Sequence, residues 1–279
     1  MAKFEFSEKV VVLFGATGGL GEAIARTLIK RGALVMLVGR KPDALQTLAT
    51  QLGERTAFAL ADVTDWETLD AVCTTTLRQF GRIDMVINAT GYDVRKPLMA
   101  HSDDDIARTI NINLSGAIRL TRVFLPALVD QNHGMIVHLG GFGDGRLAFP
   151  FYSVDVASRA GLHGFIESIN RELRLLNHDV RVMYFGPTSA DTEAERPYHA
   201  LWNDMGVQVV PPEEIAEALM EAISARKSVA VMGFGARALT LLNAISPCTA
   251  DALIVNRYGT ILKKHLADSF TGVNPPLVK

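Results

Sequence analysis

The sequence predicts an α/β protein: a doubly wound parallel sheet of about seven strands, with a helical extension at the C-terminal end. Two observations predict it. Short apolar runs alternate along the chain with longer amphipathic segments, the pattern of βαβ units around a parallel sheet. The first apolar run also ends in a glycine-rich turn that opens an alanine-rich helix.

The elements follow in order. The first strand is expected over 10–14, Val10-Val11-Val12-Leu13-Phe14, and an unbroken apolar run suits a strand buried on both faces. Further strands are expected over 33–38, 56–60, 83–88, 135–139, 180–185 and 229–232. Helices fall between them, over 20–30, 43–51, 66–80, 103–128, 154–176 and 212–225. Pro42 and the pair Pro211-Pro212 stand where two of these helices begin, and a missing N–H costs little there. Asp103-Asp104-Asp105 opens the long helix at 103–128, favourably for its dipole. No repeat, low-complexity tract or linker divides the chain. The expected organisation is a nucleotide-binding domain over 1–234 and a helical extension over 235–279.

Composition narrows the function classes. The 279 residues are 48% hydrophobic and 21% charged, enough to build a sizeable core. A formal net charge of −2, with scattered basic residues, gives no electrostatic case for nucleic acid. Cys73 and Cys248 are far apart and lack metal-ligand spacing, which fits a reducing compartment without disulfides. His101, His133 and His163 share no ligand spacing either, and no metal is expected. Glu5 and Glu8 precede a short apolar run, unlike a signal peptide, so a cytoplasmic protein is expected. The longest apolar stretch, 229–245, is interrupted by Arg237 and glycines; a peripheral membrane contact or a dimer surface stays open for it.

The glycine-rich turn carries the chemistry of nucleotide binding. Gly15-Ala16-Thr17-Gly18-Gly19-Leu20-Gly21 follows a strand and opens a helix. Glycines let the backbone approach a pyrophosphate, and the helix N-terminus offers it free N–H groups. That context points to a Rossmann-type site. The next strand ends in Val38-Gly39-Arg40-Lys41, where an NAD site would place an acid for the ribose hydroxyls. Arg40 can instead fork onto a 2′-phosphate, so NADP (NADPH) is expected over NAD, with solvated surface cations as the plain alternative.

At these residues the chain resembles the short-chain dehydrogenase/reductase family. Gly15, Gly19 and Gly21 match its glycine pattern, with Thr17, Gly18 and Leu20 in the same turn. Asp62-Val63 stands where members contact adenine, and Asn88-Ala89-Thr90-Gly91 resembles their Asn-Asn-Ala-Gly motif. Asn113 matches the helix asparagine of their proton relay. Phe185-Gly186-Pro187-Thr188 resembles their Pro-Gly turn, which places Gly186 and Thr188 beside the cofactor, with Ser189 and Thr192 near the nicotinamide carboxamide. The resemblance implies a homodimer or homotetramer formed through the helices at 103–128 and 154–176. The tail from Ser228 resembles that of members acting on lipids or sterols; its segment 237–242 could cover a pocket, touch a membrane, or pack on its own domain.

The same resemblance exposes a conflict. Family members hold the substrate oxygen with a serine and protonate it from a tyrosine tuned by a lysine. Those positions are Gly141, Asp155 and Arg159 here. Tyr152 is not a substitute in register, because its lysine position would be Val156, whereas Ala157-Ser158-Arg159-Ala160-Gly161 resembles the family's Ala-Ser-Lys-Ala-Gly. Tyr152 is expected to line the pocket or pack beneath it. An aspartate is ordinarily ionised at neutral pH, and a cation at i+4 reinforces that. It is a poor proton donor, and ordinary alcohol–ketone chemistry should be slow.

Arg95 and Lys96, and Asp144 and Arg146, lie in loops near the site. Each could bind an anionic substrate or stabilise developing charge, or simply be solvated. The substrate loop is expected over 191–210, where Tyr198, Trp202 and Met205 suggest an apolar pocket or lid. The expected function is an NADP(H)-binding oxidoreductase with an atypical active site. It would reduce an activated small molecule, such as an iminium, enone or carbonyl, with Asp155, Arg159 and Asn113 as the catalytic group. The competing expectations are a catalytically inactive scaffold or partner subunit, and a nonredox isomerase or cyclase.

Overall fold

A computed structural model describes residues 4–267. Seven parallel strands form the sheet: β1 (Val10–Phe14), β2 (Leu34–Gly39), β3 (Thr56–Leu60), β4 (Met85–Asn88), β5 (Gly134–Leu139), β6 (Val180–Gly186) and β9 (Val229–Val231). Their order is β3-β2-β1-β4-β5-β6-β9, so the winding reverses between β1 and β4 and leaves a crevice at the strands' C-terminal ends. Between β6 and β9 a small parallel pair, β7 (Ser189–Ala190) with β8 (Val209–Val210), brackets residues 191–208.

Alternation along the strands fills two cores. Leu13, Leu37 and Met183 face α1 (Gly19–Lys30), α2 (Pro42–Leu52) and α8 (Pro212–Ser224). Val12, Phe14 and Tyr184 face the opposite layer of α3 (Trp66–Phe80), α5 (Ala117–Asp130) and α6 (Ser153–Leu175). Phe14 meets Phe124 edge to face at 5.6 Å, pinning α5 beneath β1.

The single helix expected over 103–128 is three pieces. A capping box between Ser102 and Asp105 starts α4 (Asp103–Ile110). A π-helical turn, Asn111–Gly116, then joins it to α5. Gly116 sits so close to β3's exit that a Cβ would lie 3.0 Å from the Val63 carbonyl. Sequence periodicity does not register that tertiary contact, and π-turns recur at functional sites.

Two stretches extend the expected layout. Between β7 and β8 lies α7 (His199–Met205). After β9 come α9 (Phe234–Ile245), α10 (Pro247–Leu262) and a π-helical turn at Lys263–Ala267. The apolar stretch at 229–245 is thus divided between β9 and α9. Ala236 and Thr240 turn inward from α9, while Phe234, Leu241 and Ile245 are exposed. Segment 237–242 therefore does not roof the cleft. Further on, Leu262 and Leu266 join Tyr152, Leu201, Trp202 and Met205 in a third, smaller core. Residues 268–279 of the expected extension lie outside the described residues.

Candidate active site

A cleft of about 960 Å³ opens at the strands' C-terminal ends, between the glycine turn, the loops after β4 and β5, and the segment after β6. Gly15 adopts φ +76°, and a Cβ there would lie 2.9 Å from the Ala89 carbonyl. A Cβ on Gly21 would lie 2.0 Å from the Gly15 carbonyl, so the turn closes only with glycine at that position. The N-cap of α1 is Gly18, with no side-chain cap, and Thr17 to Gly21 line the cleft. The helix therefore presents uncapped N–H groups to it. The other wall of this end is Thr192, whose methyl group lies 2.9 Å from where a Gly19 Cβ would be.

Arg40, Asp62 and Val63 stand outside the cleft lining, at the ends of β2 and β3. Asp62 Oδ1 accepts from the Thr64 N–H at 2.9 Å and from its hydroxyl at 2.7 Å. Burial acts to raise its pKa, but Thr64 and Arg40, 3.7 Å away, win, and the carboxyl is held below its ordinary range. Asn88, at the end of β4, lies behind the lining formed by Ala89 and Gly91. Its Oδ1 accepts from both Thr90 donors, and its Nδ2 lies 3.2 Å from His138 Nδ1. His138 Nε2 is 2.9 Å from the Thr121 hydroxyl, which itself donates to the Ala117 carbonyl, so Nε2 carries the proton and Nδ1 accepts from Asn88. Full burial, aided by Arg159, pushes the His138 pKa down to about 3, and the ring is neutral.

Gly141, Asp155 and Arg159, the positions that the resemblance assigns to catalysis, interlock. Asp155 Oδ1 accepts from Arg159 Nε at 3.1 Å and from Asn113 Nδ2 at 3.0 Å. Asn113 is fixed in turn by the π-turn that carries it and by Tyr92, whose N–H donates to Oδ1 at 2.9 Å and whose carbonyl accepts at 2.8 Å. Arg159 Nη1 donates to the Leu139 carbonyl at 3.3 Å. Burial works against the Arg159 charge, but Asp155 leads the neighbours that raise its pKa. A Cβ on Gly141 would lie 3.2 Å from Asp155 Oδ2, and one on Gly91 would lie 3.2 Å from Arg159 Nη2. The pair thus occupies space that side chains at 141 and 91 would take.

Deeper in the wall, a Cβ on Gly186 would lie 1.9 Å from the Gly143 carbonyl. Gly186 is therefore a packing position behind the cleft. Thr188 lines the cleft, with its hydroxyl donating to the Gln208 carbonyl at 3.2 Å.

The loop cations differ from the open reading given by sequence. Arg95 is not free for an anionic substrate: its side chain is 7% exposed. Its Nε and Nη2 each lie 2.6 Å from Asp93 Oδ2, and Nη1 and Nη2 fork onto Glu195 at 3.1 and 2.5 Å. Its guanidinium sits 4.1 Å from the Tyr198 ring centroid, 5.1 Å from Trp202 and 5.6 Å from Tyr152. Trp202 Nε1 donates to Glu195 Oε2 at 2.9 Å. Lys96 is likewise neutralised by Asp105 at 2.6 Å, and Arg146 by Asp144 at 2.6 Å. Tyr198 and Trp202 thus do line the cleft, packed on a buried ion pair as well as on apolar side chains.

Asp93 and Glu195 were not among the expected site residues. Their only sequence signal was an acid two residues before Arg95 and another three residues before Tyr198. Tyr152 also lines the cleft, with its hydroxyl buried and unpartnered among the described residues. Phe151, directly before it, adopts φ +71°, a strained backbone for a bulky residue and one placed at the entry to α6.

Comparison with known proteins bears on the fold and the family. An uncharacterized oxidoreductase of Staphylococcus aureus is 29% identical over 226 residues, covering 81% of this chain and 95% of that protein. One from Staphylococcus epidermidis is 32% identical over 192 residues, covering 69% and 81%. Among solved structures, a short chain dehydrogenase of Burkholderia cenocepacia in complex with NADP superposes with a TM-score of 0.78 at 24% identity, covering 90% of this chain and 99% of that one. A short chain dehydrogenase/reductase of Burkholderia phymatum in complex with NAD gives 0.77 at 24% identity, covering 88% and 95%. The family model for short chain dehydrogenases matches residues 9–200, and the chain belongs to that family.

Proposed function

We propose that the protein binds a nicotinamide dinucleotide, NADPH in preference to NADH, and reduces an activated small-molecule acceptor, a C=N compound before a ketone. The carrying observation is Asp155, an acceptor for Arg159 and Asn113 in the position where family members keep a proton donor. A carboxyl group that accepts from a buried guanidinium can stabilise a positive charge on the acceptor, and no hydroxyl donor stands at its position.

The residues fit the dinucleotide. Gly15 to Gly21 and the uncapped start of α1 form a cradle that side chains would fill. Asp62 and Val63 stand where adenosine would be held, and Arg40, with 69% of its side chain exposed, offers a guanidinium for a 2′-phosphate. The structural neighbours from Burkholderia hold NADP in one case and NAD in the other, which supports a nicotinamide cofactor of either kind. When bound, the reduced nicotinamide supplies a hydride. Asp155 then faces the cationic acceptor, and Arg159 and Asn113 keep its oxygens oriented.

Titration of the purified protein with NADPH and NADH, followed by a panel of iminium, enone and ketone acceptors, tests this. NADPH should bind at least about tenfold tighter than NADH, and Arg40→Ala should remove the difference. Iminium turnover should exceed ketone turnover, and Asp155→Ala should lower it about a hundredfold. Cofactor binding with no oxidation on any acceptor would transfer support to an inactive partner subunit. An apolar groove of about 400 Å³ between α5 and α6, walled by Leu125, Phe165 and Ile169, would suit assembly into a homodimer or homotetramer.

A further inference from the structure

We propose that Asp93 is the proton donor of this site, delivering a proton from Oδ1 to the nitrogen of a neutral imine. The inference rests on the reading that the cleft reduces C=N acceptors, and it assigns the half of the chemistry that Asp155 cannot perform.

Asp93 lies in the loop after β4 and lines the same cleft as Asp155. Its two oxygens are unequal. Oδ2 is bound to Arg95 at 2.6 Å. Oδ1 is buried and has no hydrogen-bond partner among the described residues. A buried carboxylate oxygen without a partner is costly, and the cost falls when it is protonated or when a ligand donates to it. The hydroxyls of Tyr152 and Ser189, also in the cleft lining, are orphaned in the same way. Unmet polar capacity in a cleft wall is the mark of a site completed by a ligand.

Burial, more than the charges around it, favours the acid form of Asp93. Burial raises its pKa, Arg95 lowers it, the Asp155 charge raises it, and Arg159 lowers it, with a net upward direction. The Tyr152 and Tyr198 rings complete its surroundings, and Glu195 draws on Arg95 from the other side. Two neighbouring carboxyl groups in one cleft, of which Asp155 alone accepts from both Arg159 and Asn113, divide into one base and one acid. An acid of raised pKa matches an imine nitrogen far better than a ketone oxygen, which is much the weaker base.

The step balances. The Oδ1–H bond breaks and an N–H bond forms, giving an iminium cation and the Asp93 carboxylate. The iminium carbon then accepts a hydride, its two electrons drawn from a reduced nicotinamide, and the C=N π pair becomes the nitrogen lone pair. A neutral amine and an oxidised dinucleotide result, and Asp93 recovers its proton from water.

The test compares dihydroisoquinoline with its N-methylated cation, which needs no proton. Asp93→Asn should lower kcat/KM for the imine about a hundredfold and leave the methylated cation within about threefold. Without cofactor, the imine bound to the native protein should show the absorption of its protonated form, and Asp93→Asn should abolish it. Equal losses on both probes would reduce Asp93 to a positioning residue for Arg95 and overturn the proposal. Should the native protein reduce neither probe, the function proposed above fails, and the absorption of the bound imine still decides the role of Asp93. Should Asp93→Asn not fold, infrared spectra of the native protein decide instead: a protonated-carboxyl band must be present at neutral pH and disappear as the imine binds, and its absence overturns the assignment.

Discussion

Asp155, Arg159 and Gly141 are coupled by contact, and that governs what substitution there can do. Arg159 is a buried guanidinium whose charge is answered by Asp155. Asp155→Asn keeps the shape and removes the answering charge, so it should cost about 3 kcal/mol in denaturant unfolding, the usual penalty for stranding one partner of a buried pair. Rebuilding the family's reaction one residue at a time should fail for the same reason. Gly141→Ser alone brings a Cβ to 3.2 Å from Asp155 Oδ2 and leaves no hydroxyl donor at position 155. Only the triple change Gly141→Ser, Asp155→Tyr and Arg159→Lys restores oxyanion partner, donor and cation together. An NADPH-linked ketone assay should register turnover in the triple variant and none in Gly141→Ser.

Elements transmit these constraints through buried side chains that bridge them. His138 ties β5 to Asn88 on β4 and Thr121 on α5, in a place where its ring stays neutral down to a pH of about 3. In the unfolded chain the same ring takes up a proton near pH 6.5. Between those values the unfolded state binds more protons, so stability must fall as pH falls, by about 1.4 kcal/mol per unit for this one group, and level off above 6.5. Denaturation curves at stepped pH should show the slope, and His138→Gln should flatten it above the range where the carboxyl groups titrate. The elements themselves were legible at different depths. All seven strands of the main sheet stood out as apolar runs; the inner strands such as β1, β4 and β5 do so because both their faces are buried, whereas the edge strand β3 is part-exposed and apolar all the same. The π-turn around Asn113 did not, since it answers the close approach of Gly116 to Val63 and not the local sequence. Arg95 read as an open loop cation, available to an anionic substrate or to solvent, because its partner Glu195 lies 100 residues away. Asp93 and Glu195 escaped notice with it.

Across the whole molecule the sheet separates stability from chemistry by placing them at opposite ends of its strands. The cleft occupies the C-terminal ends, where β1 and β4 diverge. At the other end Asp84, whose side chain is fully buried, accepts from the Val10 N–H at 3.0 Å, Lys9 at 3.2 Å, Arg82 at 2.5 Å and His133 at 2.9 Å. Burial alone would raise its pKa, but these donors hold its carboxyl below the ordinary range. That cluster joins the start of β1 to the segments that enter β4 and β5, so it clamps three strands at the end away from the cleft. Asp84→Ala would leave a buried N–H, two cations and the His133 ring without their acceptor, and should cost about 3 kcal/mol of unfolding free energy. A strand of five residues holds the two ends roughly 17 Å apart. NADPH affinity should therefore stay within about twofold of the native value while the melting temperature drops. Glu195→Gln acts at the cleft end. It weakens the fork that ties the segment after β6 to Arg95 across the cleft, and acceptor KM should rise several-fold. Should Asp84→Ala loosen NADPH as much as it loosens the fold, the two ends of the sheet are not independent, and the stability of this site is set from the far end of its strands.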